Sequence, residues 1–302
     1  MWSVVIPTYN RLPILEKCLR ALEAQQFDCP YEVVVVDDGS TDGTVDFLRK
    51  KAAEFPHVRL LQQEHGGPAE ARNRGVAAAQ GDTIVFIDSD LVVLPDFLAA
   101  HAAVLGEDSR AFTYGSVINT CNFADPTQEP FKLTDWSNAY FATGNVAIAK
   151  HWLEAAGLFD TTFRLYGWED LELGVRLKKL GLTLRRCPQA VGFHWHPPFD
   201  LSQMPALIER ERQRARMGAL FYQKHPTLNV RLMIQMTWLH RVLWGLLSLG
   251  GTLNENTLHP FLAWLIAQGK SQWALEVARI FLNWYGVQSV YTAYRELTAP
   301  SP

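Results

Sequence analysis

The stretch Thr83-Ile84-Val85-Phe86-Ile87-Asp88-Ser89-Asp90 decides the fold. Its five apolar or β-branched residues run directly into two carboxylates, a pattern typical of a buried parallel strand that ends at a ligand site. Open α/β sheets bind their ligands beyond such strand ends. Asp88 and Asp90 would repel each other without a cation, so the pattern predicts a hard metal ion whose shell includes phosphate oxygens. The alternative is that Asp90 only caps the following turn.

The residues before this stretch alternate between predicted strands and predicted helices. This rhythm indicates right-handed β-α-β units and a parallel sheet. Pro7 is expected to end the first strand because proline cannot donate to the next ladder bond. The predicted strands are Trp2–Ile6, Tyr31–Val36, His57–Leu61 and Asp82–Ile87, and the predicted helices are 12–25, a segment ending near Lys51, and Gly67–Ala79.

The end of the first strand carries no glycine fingerprint. Pro7-Thr8-Tyr9-Asn10-Arg11 stands where a dinucleotide-dependent oxidoreductase would have Gly-x-Gly-x-x-Gly, which disfavours that class. A tyrosine at this position can stack on a base, and Asp38 at the end of the neighbouring strand can accept hydrogen bonds from a pyrimidine ring. The alternatives are local packing for Tyr9 and turn formation for Asp38.

Four motifs in this order resemble those of family 2 glycosyltransferases, and the resemblance covers residues 2 to about 196. The motifs are Val4–Arg11, Val36–Asp42, Ala71–Gly75 and Asp88–Asp90. The resemblance implies the GT-A fold, an α/β architecture with a mixed sheet and helices on both faces, for a domain of residues 1–200. It also implies an inverting transfer from a nucleotide sugar, most simply a UDP-sugar.

The resemblance further implies roles for individual residues at the donor end of the site. The expected nucleotide-binding residues are Pro7, Thr8, Tyr9, Asp38, Arg72, Arg74 and Asp88, with Asp38 on the base and Arg72 or Arg74 near the diphosphate. Asp88 and Asp90 match the family's carboxylates for the donor and for a divalent metal, Mn²⁺ or Mg²⁺.

A second acidic signal lies in Gly167-Trp168-Glu169-Asp170. The two acids begin a predicted helix whose apolar stripe is Leu171, Val175 and Leu177, so the helix N-terminus stabilises their charge. The alternative is that they only complement the helix dipole. The run resembles the acceptor motif of galactosyl- and N-acetylgalactosaminyltransferase-like branches of the family. We therefore expect Asp170 to be the catalytic base on an acceptor hydroxyl.

The acceptor side is expected to include Trp168, Glu169, Gly144 and Asn145. Gly144 lies in a predicted strand, Phe141–Ile148, and would permit a sugar to approach closely. Trp136 and Tyr140 precede this strand and could stack on a sugar, although aromatic residues in such loops usually pack locally.

Two histidines follow the acidic helix. In Ala190-Val191-Gly192-Phe193-His194-Trp195-His196, the alternation of an extended chain places His194 and His196 on one face. Either could be a metal ligand or a phosphate donor. We expect His194 to be the third metal ligand, by its similarity to the histidine after the Glu-Asp motif in related enzymes, with His196 as the second choice.

Residues 201–302 are predicted to be a helical extension. A charged helix at 203–224 is followed by apolar segments at Leu232–Leu249, Leu258–Ala267 and Trp273–Val290, each interrupted too often for a membrane span. Their tryptophans and arginines predict either a peripheral membrane surface or packing on the domain itself or on a second subunit as a homodimer.

Composition bounds the remaining possibilities. The net charge is −3, with the acidic excess before residue 200 and a basic excess after it, which argues against nucleic acid as a partner. Four cysteines without regular spacing predict reduced thiols. With no leader before the strand at Trp2, we expect a cytoplasmic protein, or one at the inner face of the membrane. The expected partners are a nucleotide-sugar donor and a glycan or lipid-linked saccharide acceptor.

Two other functions stay open. Asp88-Ser89-Asp90-Leu91-Val92 also fits the nucleophile box of a haloacid-dehalogenase-like phosphatase, in which the first aspartate attacks phosphorus. That class would need a downstream lysine and a second acidic metal pair, and it would leave the Thr8-Tyr9, Asp38 and Trp168–Asp170 motifs unexplained. A protein that binds sugar nucleotides without catalysis is the third hypothesis.

Overall fold

The computed structural model describes residues 1–106, 110–135, 137 and 139–299. They divide into two compact units. The first consists of Met1–Arg164 and Glu169–Pro197, and the second of Leu165–Trp168 and the chain from Pro198 onward. The sequence predicted a boundary at residue 200, but gave no sign that the short segment Leu165–Trp168 belongs to the second unit.

The first unit contains an eight-stranded mixed sheet. Four parallel strands form one half in the order β3-β2-β1-β4, and β7, β6, β8 and β5 continue it beyond β4. β7 runs antiparallel to β4 and β6, β8 is parallel to β6, and β5 is antiparallel to β8. The strands are β1 (Trp2–Thr8), β2 (Tyr31–Asp37), β3 (Val58–Gln62), β4 (Thr83–Ile87), β5 (Leu91–Val93), β6 (Ala111–Thr120), β7 (Asn145–Ala149) and β8 (Thr183–Trp195).

Helices cover both faces of this sheet, as the sequence predicted. They are α1 (Leu12–Glu23), α2 (Thr44–Lys50), α3 (Pro68–Ala78), α4 (Phe97–Leu105), α5 (Lys150–Ala155) and α6 (Glu169–Lys179). Alternate residues of β1 point to opposite faces. Val4 and Ile6 pack in one core with Leu15 of α1, whereas Val5 packs in the other with Val76 of α3. Two apolar layers therefore hold the sheet between the helices.

β1 passes through Pro7 and ends at Thr8, so the prediction that proline ends the strand is wrong. The pairing of β1 with β4 stops at Val5, whereas its pairing with β2 continues to Thr8 opposite Asp37. Pro7 therefore lies where one side of β1 is unpaired, and the missing N–H costs no ladder bond there.

β8 is one long strand, whereas the sequence pattern predicts a strand at Leu182–Arg186 and a separate extended segment at Ala190–His196. The register with β6 shifts between Gly115 opposite Cys187 and Ser116 opposite Val191, so the intervening residues of β8 form a bulge. A Cβ on Gly115 would lie 2.3 Å from the carbonyl oxygen of Ala190, which explains the glycine at this crossing. The sequence pattern did not predict β5, which has only three residues. The predicted start of β7, Phe141, is four residues before the observed start at Asn145.

The buried stripe of α6 differs from the predicted one. Leu173 and Leu177 are fully buried, four residues apart on one helix face, whereas Leu171 and Val175 are only partly covered. A Cβ on Gly174 would lie 2.8 Å from the Cβ of Phe141. The close approach at this glycine sets the face that α6 turns to the sheet.

The second unit is helical. Its core contains Leu262, Ala274, Ala278, Phe281 and Leu282. Among the described residues, no helix is both long enough and apolar enough to cross a membrane. The helices are α7 (Met204–Lys224), α8 (Leu228–Met233), α9 (Trp238–Leu247), α10 (His259–Ala267) and α11 (Ser271–Thr298).

The predicted helix at Leu232–Leu249 is in fact two helices. Gln235 has a positive φ of 56°, which ends α8 and the turn after it. The side chain of Thr237 then accepts a hydrogen bond from the backbone N–H of His240 and caps α9. The last predicted helix is longer than expected at its C-terminal end, because α11 continues to Thr298.

Gly75 gives a test of the packing between α3 and the sheet. A Cβ at this position would lie 2.4 Å from Cγ1 of Val5, so Gly75→Ala should lower the free energy of unfolding by about 1 to 2 kcal/mol despite alanine's higher helix propensity. Urea unfolding measures the change. Gly66→Ala is the matched control, because its Cβ would clash with the flexible end of Glu70 and make an ordinary contact with Gln63, and a change within about 0.5 kcal/mol is expected. Equal effects of the two substitutions would contradict this packing.

Candidate active site

The carboxyl ends of β1, β2 and β4 meet at one edge of the sheet. The backbone N–H of Asp38, just after β2, donates to the carbonyl of Thr8 at the end of β1, with N to O 2.9 Å. β4 ends directly before Asp88. The antiparallel β7 begins beside this point, and a Cβ on Gly144 would lie 3.3 Å from Oδ2 of Asp88. The motifs that are far apart in sequence therefore converge here, and the absence of a side chain at Gly144 leaves room next to Asp88.

Arg72 joins the two acidic motifs. It projects from α3 and is 5% exposed. Its Nη2 lies 3.0 Å from Oδ1 of Asp88, and its Nη1 lies 2.9 Å from Oε1 of Glu169. Burial alone would lower the pKa of Arg72, but the charges of Asp88, Glu169 and Asp170 outweigh it and raise the pKa. The guanidinium thus stays charged between the carboxylates.

Arg74, the other arginine predicted near a diphosphate, is exposed. Two residues along a helix correspond to a rotation of about 200°, so Arg72 and Arg74 cannot face the same site. Of the two candidates, the structure places Arg72 at the edge of the sheet with the acidic motifs.

Glu169 and Asp170 occupy the first turn of α6, as predicted. Glu169 is 7% exposed, and its Oε2 is buried without a hydrogen-bond partner among the described residues. Asp170 is partly buried and accepts a hydrogen bond at Oδ1 from the N–H of Leu171, 2.7 Å away. The first turn therefore presents one carboxylate held by Arg72 and a second one beside it.

The ionisation of Asp170 is unusual. Burial and the negative charge of Glu169 raise its pKa to about 7, Arg72 opposes this rise, and Asp88 adds to it. A carboxylate with a pKa near neutrality can accept a proton far more readily than an ordinary aspartate. Because the charges of both Arg72 and Asp88 act on the pKa of Asp170, these three side chains belong to one group.

Asp90 and His194 form a close pair within reach of the charge of Asp88. Oδ1 of Asp90 lies 3.2 Å from Nε2 of His194, and Oδ2 lies 4.0 Å from Arg11. Burial opposes the ionisation of Asp90, but the bond to His194 and its charge dominate and lower the pKa of the carboxyl. Burial likewise opposes the protonation of His194, and Asp90 outweighs it and raises the pKa of the imidazole.

The donor atoms of these residues suit a divalent metal, although they are not arranged as a ready site. Across the described residues, no group of three or more histidine, cysteine or acidic side chains is close enough to hold an ion. Asp88 and Asp90 supply oxygen and His194 supplies nitrogen, a set that Mn²⁺ accepts. His196, the second choice, lies elsewhere, with Nδ1 3.5 Å from Sγ of Cys121. The geometry favours His194 over His196.

Tyr9 and His65 form an aromatic platform beyond β1. Their rings stack with centroids 4.4 Å apart and planes 27° from parallel, and Tyr9 is 45% exposed. The hydroxyl of Thr8, at the end of β1, is buried and has no hydrogen-bond partner among the described residues. The predicted positions of Thr8 and Tyr9 at the strand end agree with the structure, and an open aromatic face beside an unsatisfied hydroxyl can receive a planar ring.

Asp38 does not present a free carboxylate edge, so the predicted contact with a base is not the contact that the structure shows. Oδ1 accepts hydrogen bonds from Nε2 of Gln63 at 2.7 Å and from the N–H of Gly66 at 2.8 Å. Oδ2 accepts one from the N–H of Gly67 at 2.9 Å and lies 3.0 Å from Nδ1 of His65. A carboxylate has about four acceptor positions, and these contacts use them. Asp38 therefore shapes the loop that carries His65.

Asn145 is also not available as predicted. It is fully buried, its Oδ1 lies 2.8 Å from Nε2 of His101, and its Nδ2 donates to the carbonyls of Ser116 and Ala190, both at 2.9 Å. These bonds use both ends of the amide and cross-link β7, β6 and β8. The acceptor role predicted for Asn145 is therefore corrected to a structural one.

The predicted aromatic groups have different surroundings. The hydroxyl of Tyr140 donates to the carbonyl of Leu182, and its ring packs edge-on against Phe112, as in local packing. Trp136 lies outside the described residues. Trp168 belongs to the second unit, where it is 8% exposed and its Nε1 donates to the carbonyl of Arg214 at 2.8 Å. Its φ is +77°, and these contacts hold that unusual conformation.

Two residues of the site were missed by sequence reasoning. His65, which stacks on Tyr9, sits in a His-Gly-Gly turn whose glycines were the only signal of a special loop. Tyr114 of β6 is 6% exposed and senses the charges of both Asp88 and Asp170; burial is the main cause of its raised pKa. No sequence pattern distinguished Tyr114 from an ordinary strand tyrosine.

Comparison with known proteins agrees with this arrangement. The family described as "Glycosyl transferase family 2" matches residues 3–157, about half of the chain, and the one described as "N-terminal domain of galactosyltransferase" matches residues 126–197. The chain belongs to glycosyl transferase family 2. The two matches together span both acidic motifs. Membership of this family removes the haloacid-dehalogenase-like alternative.

The individual relatives have low sequence identity to this chain. A chondroitin synthase from Pasteurella multocida (strain Pm70) is 27% identical over 283 residues, which cover 80% of this chain and 29% of that protein. The chain thus spans less than a third of the length of this relative. Among solved structures, the mannosyltransferase PcManGT from Pyrobaculum calidifontis, in complex with GDP-Man and Mn²⁺, has a TM-score of 0.62 and 21% identity, covering 96% of this chain and 87% of that one.

A second solved structure shares the fold. S. aureus TarS 1-349 in complex with UDP-GlcNAc has a TM-score of 0.54 and 17% identity, and the match covers 98% of this chain and 91% of that one. These likenesses confirm the predicted GT-A fold for the family 2 chain.

Proposed function

We propose that this protein is an inverting, metal-dependent glycosyltransferase. It moves a sugar from a nucleoside-diphosphate donor, most simply a UDP-sugar, to a hydroxyl of a glycan or lipid-linked saccharide. The observation that carries the proposal is the bridge of Arg72 between Asp88 and Glu169, with Asp170 beside it at a pKa of about 7. Asp88, the carboxylate proposed to bind the donor, and Asp170, the proposed base, thus lie in one site, as a transfer reaction requires.

The proposed reaction is a single displacement. The acceptor oxygen forms a bond to the anomeric carbon while the bond from that carbon to the diphosphate oxygen breaks, which inverts the configuration. The proton of the acceptor hydroxyl passes to a carboxylate oxygen of Asp170. The electron pair of the broken bond leaves with the diphosphate. No covalent intermediate on the protein is needed.

Glu169 is proposed to orient the acceptor. Oε1 is fixed by Arg72, while the buried Oε2 lacks a partner among the described residues. A buried carboxylate oxygen without a partner is costly, and a hydroxyl of a bound saccharide would satisfy it. The fixed orientation of the side chain would then set which hydroxyl approaches Asp170.

A divalent cation fits the residues at the end of β4. Asp88, Asp90 and His194 would hold it, and it would supply positive charge against the growing charge on the leaving diphosphate. The solved structure of PcManGT with Mn²⁺ supports this choice of metal. Neutral His194 is the form that binds a metal, so the cation would displace the proton that Asp90 favours on the imidazole.

The nucleoside is proposed to bind at Tyr9 and His65. The exposed ring of Tyr9 offers a stacking face, and the hydroxyl of Thr8, which has no hydrogen-bond partner in the described part of the chain, offers a donor and an acceptor. Asp38 would act through the loop, by holding His65 in place. UDP-GlcNAc in the TarS structure supports a uridine donor, and GDP-Man in the PcManGT structure makes guanosine the alternative to be tested.

Replacing Asp170 tests the catalytic role. Asp170→Asn keeps the shape but cannot accept the proton, so we expect kcat to fall by about 10²- to 10⁴-fold while UDP in the presence of Mn²⁺ still raises Tm. The assay is a screen of nucleotide sugars with saccharide acceptors, followed by thermal shift.

Asp82→Asn is the matched control, since the side chain of Asp82 is 98% exposed and lies at the other end of β4. Loss of transfer together with loss of UDP binding would argue against a base at Asp170. If the wild-type protein binds a sugar nucleotide but transfers its sugar to no acceptor, the result would favour the non-catalytic hypothesis.

The pKa of Asp170 predicts the pH dependence. The raised pKa means that the carboxyl is protonated, and inactive as a base, below about pH 7. The logarithm of kcat/KM at saturating Mn²⁺ should therefore rise with a slope of about one up to pH 7 and level off above it. Far-ultraviolet circular dichroism across the range controls for unfolding. A flat profile from pH 5.5 to 8.5, within about twofold, would show that Asp170 does not act as this base.

Metal removal tests the ligand set. A metal chelator should abolish transfer, and added Mn²⁺ should restore it. In a separate thermal-shift measurement, Mn²⁺ with UDP should stabilise the fold, by about 2.7 kcal/mol when the ligand is near 100 times its Kd. Asp90→Asn and His194→Ala should lose the Mn²⁺-dependent rise in Tm, whereas His196→Ala should keep it. The reverse result, a loss only in His196→Ala, would reject His194 as the ligand. Repeating the titration with GDP distinguishes the two donors.

A further inference from the structure

Helix α9 of the second unit has its apolar face turned to solvent. None of its ten residues, Trp238–Leu247, all within the described chain, is buried. Six of them are large apolar side chains at least 45% exposed, and Leu249 just beyond the helix is 66% exposed. We call these seven residues the outer face: Trp238, Leu239, Val242, Leu243, Leu246, Leu247 and Leu249.

The opposite side of α9 makes the contacts with the rest of the second unit. A Cβ on Gly245 would lie 3.2 Å from the Trp284 ring of α11, and Trp244 donates from Nε1 to Oε1 of Gln235 at 2.7 Å. The guanidinium of Arg241 lies 5.7 Å from the ring centroid of Tyr291, also in α11. The helix is therefore docked through Trp244 and Gly245, whereas Arg241 is exposed although it lies beside Tyr291, and the leucines are left outside.

Such an outer face is unusual for a soluble protein. Scattered apolar residues are ordinary on a surface, but contiguous ones at successive helical turns mark an interaction surface. Other helices of the second unit also expose aromatic and aliphatic groups: Leu228 is 67% exposed, Trp264 is 52% exposed and Trp273 is 68% exposed. Tryptophan prefers the boundary between water and lipid, where its ring is buried and its N–H stays wet.

The charge of this segment selects the partner. From Pro226 to Asn254 the sequence contains two arginines, Arg231 and Arg241, and no aspartate or glutamate. If two copies of the chain met through this face, the segment of neither copy would supply an acidic residue to pair with the arginines of the other. Anionic lipid headgroups supply the missing negative charge, and the long stems of arginine can lie along the apolar surface.

We infer that the outer face of α9 binds the surface of an anionic membrane, with the helix lying in the plane of the interface. Ten residues of helix are about 15 Å long, which is half the thickness of the hydrocarbon core, so the helix is too short to span the membrane. A helix of this kind binds through buried apolar area and through attraction of its basic residues to anionic lipids.

Co-sedimentation of the full chain with vesicles tests the inference. We expect binding to vesicles of phosphatidylcholine with about one third phosphatidylglycerol, and at least about tenfold weaker binding to phosphatidylcholine alone. Leu243→Glu combined with Leu246→Glu should lower the affinity for anionic vesicles by at least about tenfold. Both side chains are exposed, so the Tm should change little. Arg241→Gln should weaken binding to anionic vesicles by about fivefold.

Leu133→Glu is the matched control. Leu133 is 91% exposed and lies in the first unit, so the same change of residue type should leave vesicle binding unchanged. No binding to either vesicle, or equal binding to both, would overturn the inference. So would a dimer in sedimentation velocity that the double substitution dissociates while no vesicle binding is seen, because that result would assign the outer face to a second copy of the chain.

Discussion

The buried ion pairs of Arg72 are the interaction on which the site depends. One guanidinium, 5% exposed, holds a carboxylate that follows β4 and another that begins α6, although these residues are far apart in the sequence. Charges removed from water are costly unless they are paired, and a partner left behind by a deletion would be an unpaired buried carboxylate. The bridge therefore fixes the distance between Asp88 and Glu169. The charge of Arg72 also limits the rise in the pKa of Asp170 that burial and Glu169 cause.

The parallel half of the sheet makes this bridge possible. β1, β2 and β4 end at one edge, and α3 returns along the sheet from the loop that Asp38 organises. Gly75 lets α3 lie close against Val5, which brings Arg72, one turn earlier on the helix, to the edge where Asp88 lies. The position of the guanidinium thus follows from backbone packing several residues away. The same logic applies to α6, where Gly174 against Phe141 sets the depth at which the first-turn acids sit.

Sequence reasoning predicted those parts of the site that follow from local pattern. Strand ends, first-turn acids and the extended segment of His194 each have a short-range signature, so Asp88, Glu169, Asp170 and His194 were placed on the correct elements. It failed where a polar side chain satisfies buried backbone or carboxylate groups, because such bonds depend on residues distant in the chain. Asn145 cross-links three strands, Asp38 holds a loop, and Arg72 rather than Arg74 turns inward. The missed bulge in β8 and the break before α9 depend on single residues, Gly115 and Gln235, whose backbone roles leave little trace in hydropathy.

The charge balance of the site explains why four acids can coexist there. Asp88, Asp90, Glu169 and Asp170 face two arginines, Arg11 and Arg72, and one histidine, and the fourth negative charge is relieved by the raised pKa of Asp170. Both outer nitrogens of Arg72 are already committed to carboxylates, so this residue cannot also neutralise a diphosphate without giving up one of them. Under the proposed function, the positive charge for the donor must come from a cation held by Asp88, Asp90 and His194.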